Sequence, residues 1–256
     1  MGTVYLARDE TRDRYVAVKV LHPELTAEVS GARFHREVSL LTRLKHPSVV
    51  SVLESGSSGD FAWFSMPLVQ GESLRERLRR DERLRFGDIQ AIVTDVAAGL
   101  DHVHAAGIVH RDLKPENVLL AGGRARVADF GIARLVQGEA ALAGPGTMTR
   151  AGQVLGTPAY MSPEQVSGGA VDARSDVYSL GVLIYEMLVG VVPFTAPTPV
   201  QRMSLHLTEP PIPPRRQLTN FGRGLIIKDF DLSPDGREIV FERVQENSEV
   251  VMIVRP

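Results

Sequence analysis

The chain has 256 residues and a net charge of -2, enough for a sizeable core in one large domain or two lobes and no reason to invoke nucleic acid. Cysteine is absent, which excludes disulfides and thiolate metal sites. The start, MGTVYLARDE, lacks a basic segment followed by an apolar one, and the longest apolar stretch, Val177 to Phe194, is broken by Glu186 and Gly190. A spanning helix needs about 20 predominantly apolar residues. A buried core helix, no membrane span and a cytoplasmic location are therefore expected.

Along the chain, Val4–Ala7 and Tyr15–Val20 are short apolar runs bridged by the polar turn Arg8–Arg14, a hairpin pattern. Phe34, Val38, Leu41 and Leu44 recur at helical spacing, and His46-Pro47 ends that helix. Strands are predicted over Val49–Glu54 and Phe61–Met66, separated by Ser55-Gly56-Ser57-Ser58-Gly59. After Gly71 the pattern turns helical: Ser73 and Glu76 form a capping box opening the Arg-rich segment Leu74–Arg85. Its interspersed Glu76, Asp81 and Glu82 mark a solvated helix rather than a nucleic-acid patch. Ile89, Ile92, Val93, Val96, Leu100 and Val103 then trace a buried stripe. Residues 138–152, rich in Gly and Ala, read as a mobile loop.

The chemistry concentrates in residues 110–131, HRDLKPENVLLAGGRARVADFG. Val118-Leu119-Leu120 reads as a strand, Ala121–Arg124 as a turn and Arg126-Val127-Ala128 as the return. Such a hairpin brings Asn117 and Asp129 back together, a hard-oxygen pair suited to Mg²⁺ shared with phosphate oxygens. Lys114 puts a positive charge beside Asp112, where a transferring phosphoryl group needs one. His102, His104 and His110 lie close in sequence, but no carboxylate-rich or cysteine framework makes them metal ligands.

The order H-R-D-x-K-x-x-N followed by D-F-G resembles the catalytic pair of motifs of the protein kinases, and Lys114 resembles the serine/threonine branch. The resemblance implies an α+β, two-lobed kinase fold: a small β-rich lobe over 1–70 and a large helical lobe over 71–216. It also implies ATP with Mg²⁺ or Mn²⁺ as cofactors and a protein substrate; the oligomeric state stays open. Asp112 would be the catalytic base, Lys114 would neutralise the γ-phosphate, and Asn117 and Asp129 would hold the metal. Lys19, in Val16-Ala17-Val18-Lys19, would grip the α- and β-phosphates, its position fixed by ion pairing with Glu37. Gly2 would end the phosphate loop; Val4, Ala17 and Leu119 would face adenine; Met66 would be the gatekeeper. Pro67 to Val69 would form the hinge, and since Pro67 has no N–H, Leu68 and Val69 are its ATP-facing residues. His110 would be a packing residue, Phe130 would pack beneath the glutamate-bearing helix, and Asp176 would brace the catalytic loop from below.

Further on, Gly156-Thr157-Pro158-Ala159-Tyr160-Met161-Ser162-Pro163-Glu164 resembles the kinase substrate-docking loop, with SPE where APE is usual. Thr157 would hydrogen-bond near Asp112 and Lys114. Arg111, before the catalytic Asp, resembles kinases switched by loop phosphorylation, with Thr149 the first candidate site and Thr147 the second.

Both ends depart from the family pattern. A kinase phosphate loop reads G-x-G-x-x-G-x-V, of which Gly2-Thr3-Val4 supplies only the final glycine and valine, so weakened nucleotide binding is expected. After Pro214 the final helices of the large lobe are not evident, so Glu164 is expected to lack the arginine that pairs with it in the family. Residues 217–256 instead read as strand, Ser233-Pro234-Asp235-Gly236 turn, strand and third strand, resembling one β-propeller blade. Two functions compete at this point: a Ser/Thr protein kinase, and a kinase-like module that binds nucleotide weakly or serves as an interaction surface.

Overall fold

The computed structural model describes residues 2–21, 38–59, 61–81, 84–130 and 158–211, with the backbone of 226–232, 239–245 and 248–254. It divides into two compact units, Met1–Pro214 and Arg215–Pro256.

In the first unit the β-branched runs at the start form β1 (Gly2–Asp9) and β2 (Arg14–Leu21), an antiparallel hairpin. Asp9 fastens its tip, accepting the Arg12 N–H at 3.1 Å and pairing with the Arg12 and Arg14 side chains. The next strand corrects the sequence expectation: β3 is Glu54–Ser58, not Val49–Glu54, so most of the supposed separator is strand. Val49, Val50 and Val52 are instead core residues. The Val50 N–H donates to the Val127 carbonyl, and the Val127 N–H to that of Ser48, each at 2.8 Å. A Ser/Gly run can serve as a strand here because β3 is a sheet edge and Gly56 lies against the Trp63 indole. A Cβ at Gly56 would come within 2.6 Å of that ring. With β4 (Phe61–Pro67) the sheet has the antiparallel order β1-β2-β4-β3. Residues 38–41 are helical, and Val38, Leu41 and Leu44 are buried as their spacing predicts.

The capping box is present: Ser73 Oγ accepts the Glu76 N–H at 3.2 Å, and the Glu76 carboxylate accepts the Ser73 N–H at 2.7 Å. It sits on a short strand β5 (Glu72–Ser73) and opens α1 (Leu74–Arg80). The expected continuation to Arg85 does not occur. Asp81 adopts an extended backbone and carries Arg77 and Arg80 on its carboxylate, after which Leu84 turns into the core. The new helix α2 (Phe86–Ala105) buries the predicted stripe from Ile89 to Val103.

One charge interrupts that stripe. Asp95 accepts the Ala125 N–H at 2.9 Å and pairs with Arg124 at 2.7 Å. It thereby anchors the hairpin of β6 (Val118–Ala121) and β7 (Arg124–Val127) to α2. Gly122 and Gly123, with φ of 59° and 74°, supply the left-handed two-residue turn. β5 adds to the other edge of β6, giving the order β5-β6-β7. Gly99 lets α2 back onto the chain at Ser48, where a Cβ would meet the Ser48 carbonyl oxygen at 2.8 Å. Three helices follow: α3 (Pro163–Ser167), α4 (Ala173–Val189) and α5 (Pro199–Thr208). Among the described residues no helix is long and apolar enough to cross a membrane; α4 is a core helix with Asp176 and Glu186 buried in it.

The second unit is a three-stranded antiparallel sheet of β8 (Ile226–Leu232), β9 (Ile239–Gln245) and β10 (Ser248–Val254), in the order β10-β9-β8.

The seat of α5 is sensitive to acid. His206 is buried, edge-on to Phe194 at 4.7 Å and 2.8 Å from the Tyr178 hydroxyl through Nδ1. Burial pushes its pKa down from 6.5 to about 4, and burial likewise raises that of Tyr178 to about 12, so the tyrosine is the donor. Between those His206 values the unfolded chain takes up a proton that the native state refuses. Stability is therefore full above about pH 6.5 and is lost as pH falls toward 4. Urea unfolding at pH 7 and pH 5 should show the wild type losing about 2 kcal/mol more than His206→Gln over that interval. Parallel losses in the two proteins would exclude His206 as the cause.

Candidate active site

The site is built outward from Asp176, fully buried in the first turn of α4. Its carboxylate accepts three hydrogen bonds: from the His110 N–H at 2.7 Å, the Arg111 N–H at 2.8 Å and His104 Nε2 at 2.7 Å. Two successive backbone amides held by one carboxylate force a sharp bend, and Arg111 has φ of 66°, rarely adopted by non-glycine residues. The His110 ring completes the bend. Its Nδ1 accepts the Asp112 N–H at 3.2 Å, so its Nε2 carries the proton and donates to the Ala128 carbonyl at 3.0 Å. His110 thus ties the two motif strands together and packs tilted against Phe130, ring centroids 4.9 Å apart.

Beyond the bend, Lys114 Nζ lies 2.7 Å from Asp112 Oδ2. A 3₁₀ turn over Pro115–Asn117 follows, and Asn117 Nδ2 donates back to the Asp112 carbonyl at 2.8 Å. The Asn117 carbonyl in turn accepts the Ala128 N–H at 2.8 Å, continuing the β6–β7 ladder by one pair and delivering Asp129 beside Asn117. Asp129 has φ of 57°. Its Oδ2 pairs with Lys19 Nζ at 2.7 Å, while its Oδ1 is buried without a hydrogen-bond partner among the described residues. An orphaned buried carboxylate oxygen costs roughly 1–3 kcal/mol. Its position beside an Asn side-chain oxygen fits a hard divalent cation.

Register places Gly2, Val4, Ala17, Lys19 and Met66 on one face of the first sheet. Val4 pairs with Lys19 and Ala17 with Met66, and Ala17 and Lys19 are two residues apart on β2. Val4 is half exposed, Met66 is buried, and Ala17, Val69 and Leu119 are partly buried against the core. Leu68 is exposed. Gly2 sits opposite Leu21, where a Cβ would come within 2.3 Å of the Val20 carbonyl oxygen. Glu37, Thr147, Thr149 and Thr157 lie outside the described residues, as does the expected loop over 138–152. The ion pair expected between Lys19 and Glu37 is thus not described; among the described residues Lys19 pairs with Asp129.

His104, His110 and His102 are engaged separately, the last stacked on His46 at 5.1 Å. Among the described residues no cluster of three His, Asp or Glu could hold a metal.

Two features were not foreseen. Glu164, expected to lack the family's arginine, accepts the hydroxyl of Ser175. Burial raises its pKa, yet that hydroxyl and its other hydrogen bonds outweigh burial and hold it below the ordinary value. Arg75 is not a solvated arginine: its guanidinium lies 2.7 Å from Glu186 and 2.9 Å from Glu116 and donates to the Tyr160 hydroxyl. Tyr160 also bonds Glu186, so α1, the 3₁₀ turn, the 158–160 segment and α4 meet in one polar cluster. Burial and the Glu186 charge raise the Tyr160 pKa, keeping the hydroxyl protonated. The interruption of apolar stripes by Asp95 and Glu186 was the available sequence signal.

The protein kinase domain family model matches residues 1–237, past the point where the kinase-like pattern is read to stop in the sequence. Serine/threonine-protein kinase pkn2 of Myxococcus xanthus is 44% identical over 228 residues, covering 87% of this chain and 27% of that protein. Serine/threonine-protein kinase PknB of Mycobacterium leprae is 39% identical over 246 residues, covering 93% and 39% respectively. The chain therefore spans about a quarter to two fifths of the length of these relatives. Among solved structures, a cysteine-to-alanine variant of the PknI kinase domain of Mycobacterium tuberculosis superposes with a TM-score of 0.62. It is 32% identical and covers 76% of this chain and 71% of that one. The chain belongs to the protein kinase domain family.

Proposed function

We propose that this chain transfers the γ-phosphoryl group of ATP to a serine or threonine hydroxyl of a protein substrate. The observation that carries the reading is one hydrogen-bonded turn holding Asp112, Lys114 and Asn117, with Asp129 delivered beside it and Lys19 2.7 Å from Asp129. Asp112 has Oδ2 occupied by Lys114, leaving Oδ1 to accept the substrate proton. The hydroxyl oxygen bonds to the γ-phosphorus as the bond to the β,γ-bridging oxygen breaks; the proton passes to Asp112 and ADP leaves. Lys114 meets the charge on the transferring group, and Lys19 meets the α- and β-phosphates. Asn117 and Asp129 would hold Mg²⁺ or Mn²⁺, which when bound screens the phosphate charge. Adenine lies against Val4, Ala17, Met66 and Leu119, with hydrogen bonds from the chain at Leu68 and Val69. Glu37 steadies Lys19, Thr157 hydrogen-bonds near Asp112 and Lys114, and Gly2 lets the chain approach phosphate. ATP places the activity in the cytoplasm.

Arg111 supports a switch by phosphorylation of the loop at Thr149, or secondarily Thr147. The sequence Ser233-Pro234-Asp235-Gly236 between β8 and β9 and the three-stranded meander support a propeller-blade-like second unit.

Purified chain with labelled ATP, Mg²⁺ and a generic protein substrate should phosphorylate it, and Asp112→Asn should lose at least about 100-fold. Equal turnover by the two proteins would refute the assignment. Nucleotide binding by a folded chain without turnover would favour the interaction-module reading. Asp129→Asn should raise the Mg²⁺ concentration for half-maximal rate about tenfold or more; an unchanged midpoint would remove Asp129 from the metal site. Mass spectrometry after self-incubation should find phosphate on Thr149, and activity undiminished in Thr149→Ala would exclude the switch.

A further inference from the structure

The base, Asp112, follows a residue in a strained backbone conformation, so its direction depends on what fixes the peptide plane between Arg111 and Asp112. The N–H of that peptide donates to His110 Nδ1 at 3.2 Å. Its carbonyl, that of Arg111, accepts the side-chain Nε2 of Gln165 at 2.8 Å. Gln165 belongs to α3, which follows the substrate-docking segment, and is 6% exposed. Its other amide atom, Oε1, accepts the Ser162 N–H at 3.0 Å, and its own N–H donates to Ser162 Oγ at 3.4 Å. One partner is a donor and the other an acceptor, so the amide orientation is determined and only a primary amide satisfies both.

We infer that Gln165 is a positioning residue for phosphotransfer: it clamps the peptide plane that aims Asp112 and couples it to the docking segment. Asp176 holds the N–H of Arg111 from below, and Gln165 holds its carbonyl from the side of α3. Without that second hold, Arg111 can relax toward the favoured φ < 0 region and swing the Asp112 carboxylate off the attacking hydroxyl. A misplacement on the order of 1 Å can cost about 100-fold in rate. The inference rests on the phosphotransfer reading above, and its test carries an arm that does not.

The variants are Gln165→Met, an apolar side chain of similar length, and Gln165→Glu, which keeps an acceptor for the Ser162 N–H and loses the donor to Arg111. Ser162→Ala is the control, removing a cap from the same helix while leaving the Arg111 carbonyl bonded. Both Gln165 variants should lower kcat about tenfold or more, with the KM for ATP within about twofold, whereas Ser162→Ala should lower Tm without that kcat loss. Amide hydrogen exchange at Asp112 should accelerate about tenfold or more in Gln165→Met, and not in Ser162→Ala. Wild-type exchange at Asp112 in both Gln165 variants would overturn the inference. So would a kcat loss equal to that of Ser162→Ala. A wild type without turnover would sink the kinase reading alone, and the exchange arm would still decide the role of Gln165.

Discussion

The carboxylate of Asp176 is the constraint from which the rest of the active site follows. It is fully buried, and a buried carboxylate without donors is among the costliest groups a fold can contain. The fold supplies three, two of them consecutive backbone amides of the catalytic loop. Hydrogen bonds to a charged group are worth roughly 1.5–3 kcal/mol each, which offsets the roughly 1–2 kcal/mol cost of the left-handed Arg111 conformation, and Gln165 fixes the carbonyl side of the same residue. The loop geometry thus follows from satisfying the carboxylate beneath it.

From that bend, position passes outward by short bonds. His110 links the catalytic loop to Ala128, and the β6–β7 ladder extends through the Asn117 carbonyl. These two ties fix the distance between the motifs that supply Asn117 and Asp129. Asp95 supports the hairpin from α2, so an error in helix packing would reach the Asn117–Asp129 pair through that carboxylate. Lys19 arrives from a different sheet and meets Asp129 directly, adding a charged contact to the Val50–Val127 and Val127–Ser48 hydrogen bonds that join the strand-rich start to the helical remainder of the first unit.

Much of this was legible in the sequence where local pattern carries the information. The β1–β2 hairpin, the α2 stripe, the capping box at Ser73 and the Gly122-Gly123 turn all express periodicity or turn chemistry. The misreadings share a physical origin in tertiary contact. Glu54–Ser58 becomes a strand because a neighbouring strand and the Trp63 ring accept it, whereas the valines at 49, 50 and 52 are buried in the core and meet another strand only through an isolated bridge to Val127. The arginine run beginning at Arg75 has the composition of a solvated face, and composition cannot reveal that one of its members meets Glu186, more than a hundred residues along the chain. Gln165 likewise carries no local signature, since its role depends on a carbonyl in another loop.

The Arg75 cluster shows how such a contact constrains the whole unit. Two carboxylates, one guanidinium and a phenol share a partly buried space, a combination often no more stable than apolar residues of equal volume. Directionality is what the polar version adds. The guanidinium fork reaches Glu116, Glu186 and Tyr160 in different directions, so α1, the 3₁₀ turn before the hairpin, the docking segment and α4 must be placed together. An apolar core would let each slide by a fraction of an ångström at little cost. Glu116 is the neighbour of Asn117, and Tyr160 begins the segment that leads through Ser162 to Gln165. The cluster therefore sets the same two elements that flank Asp112.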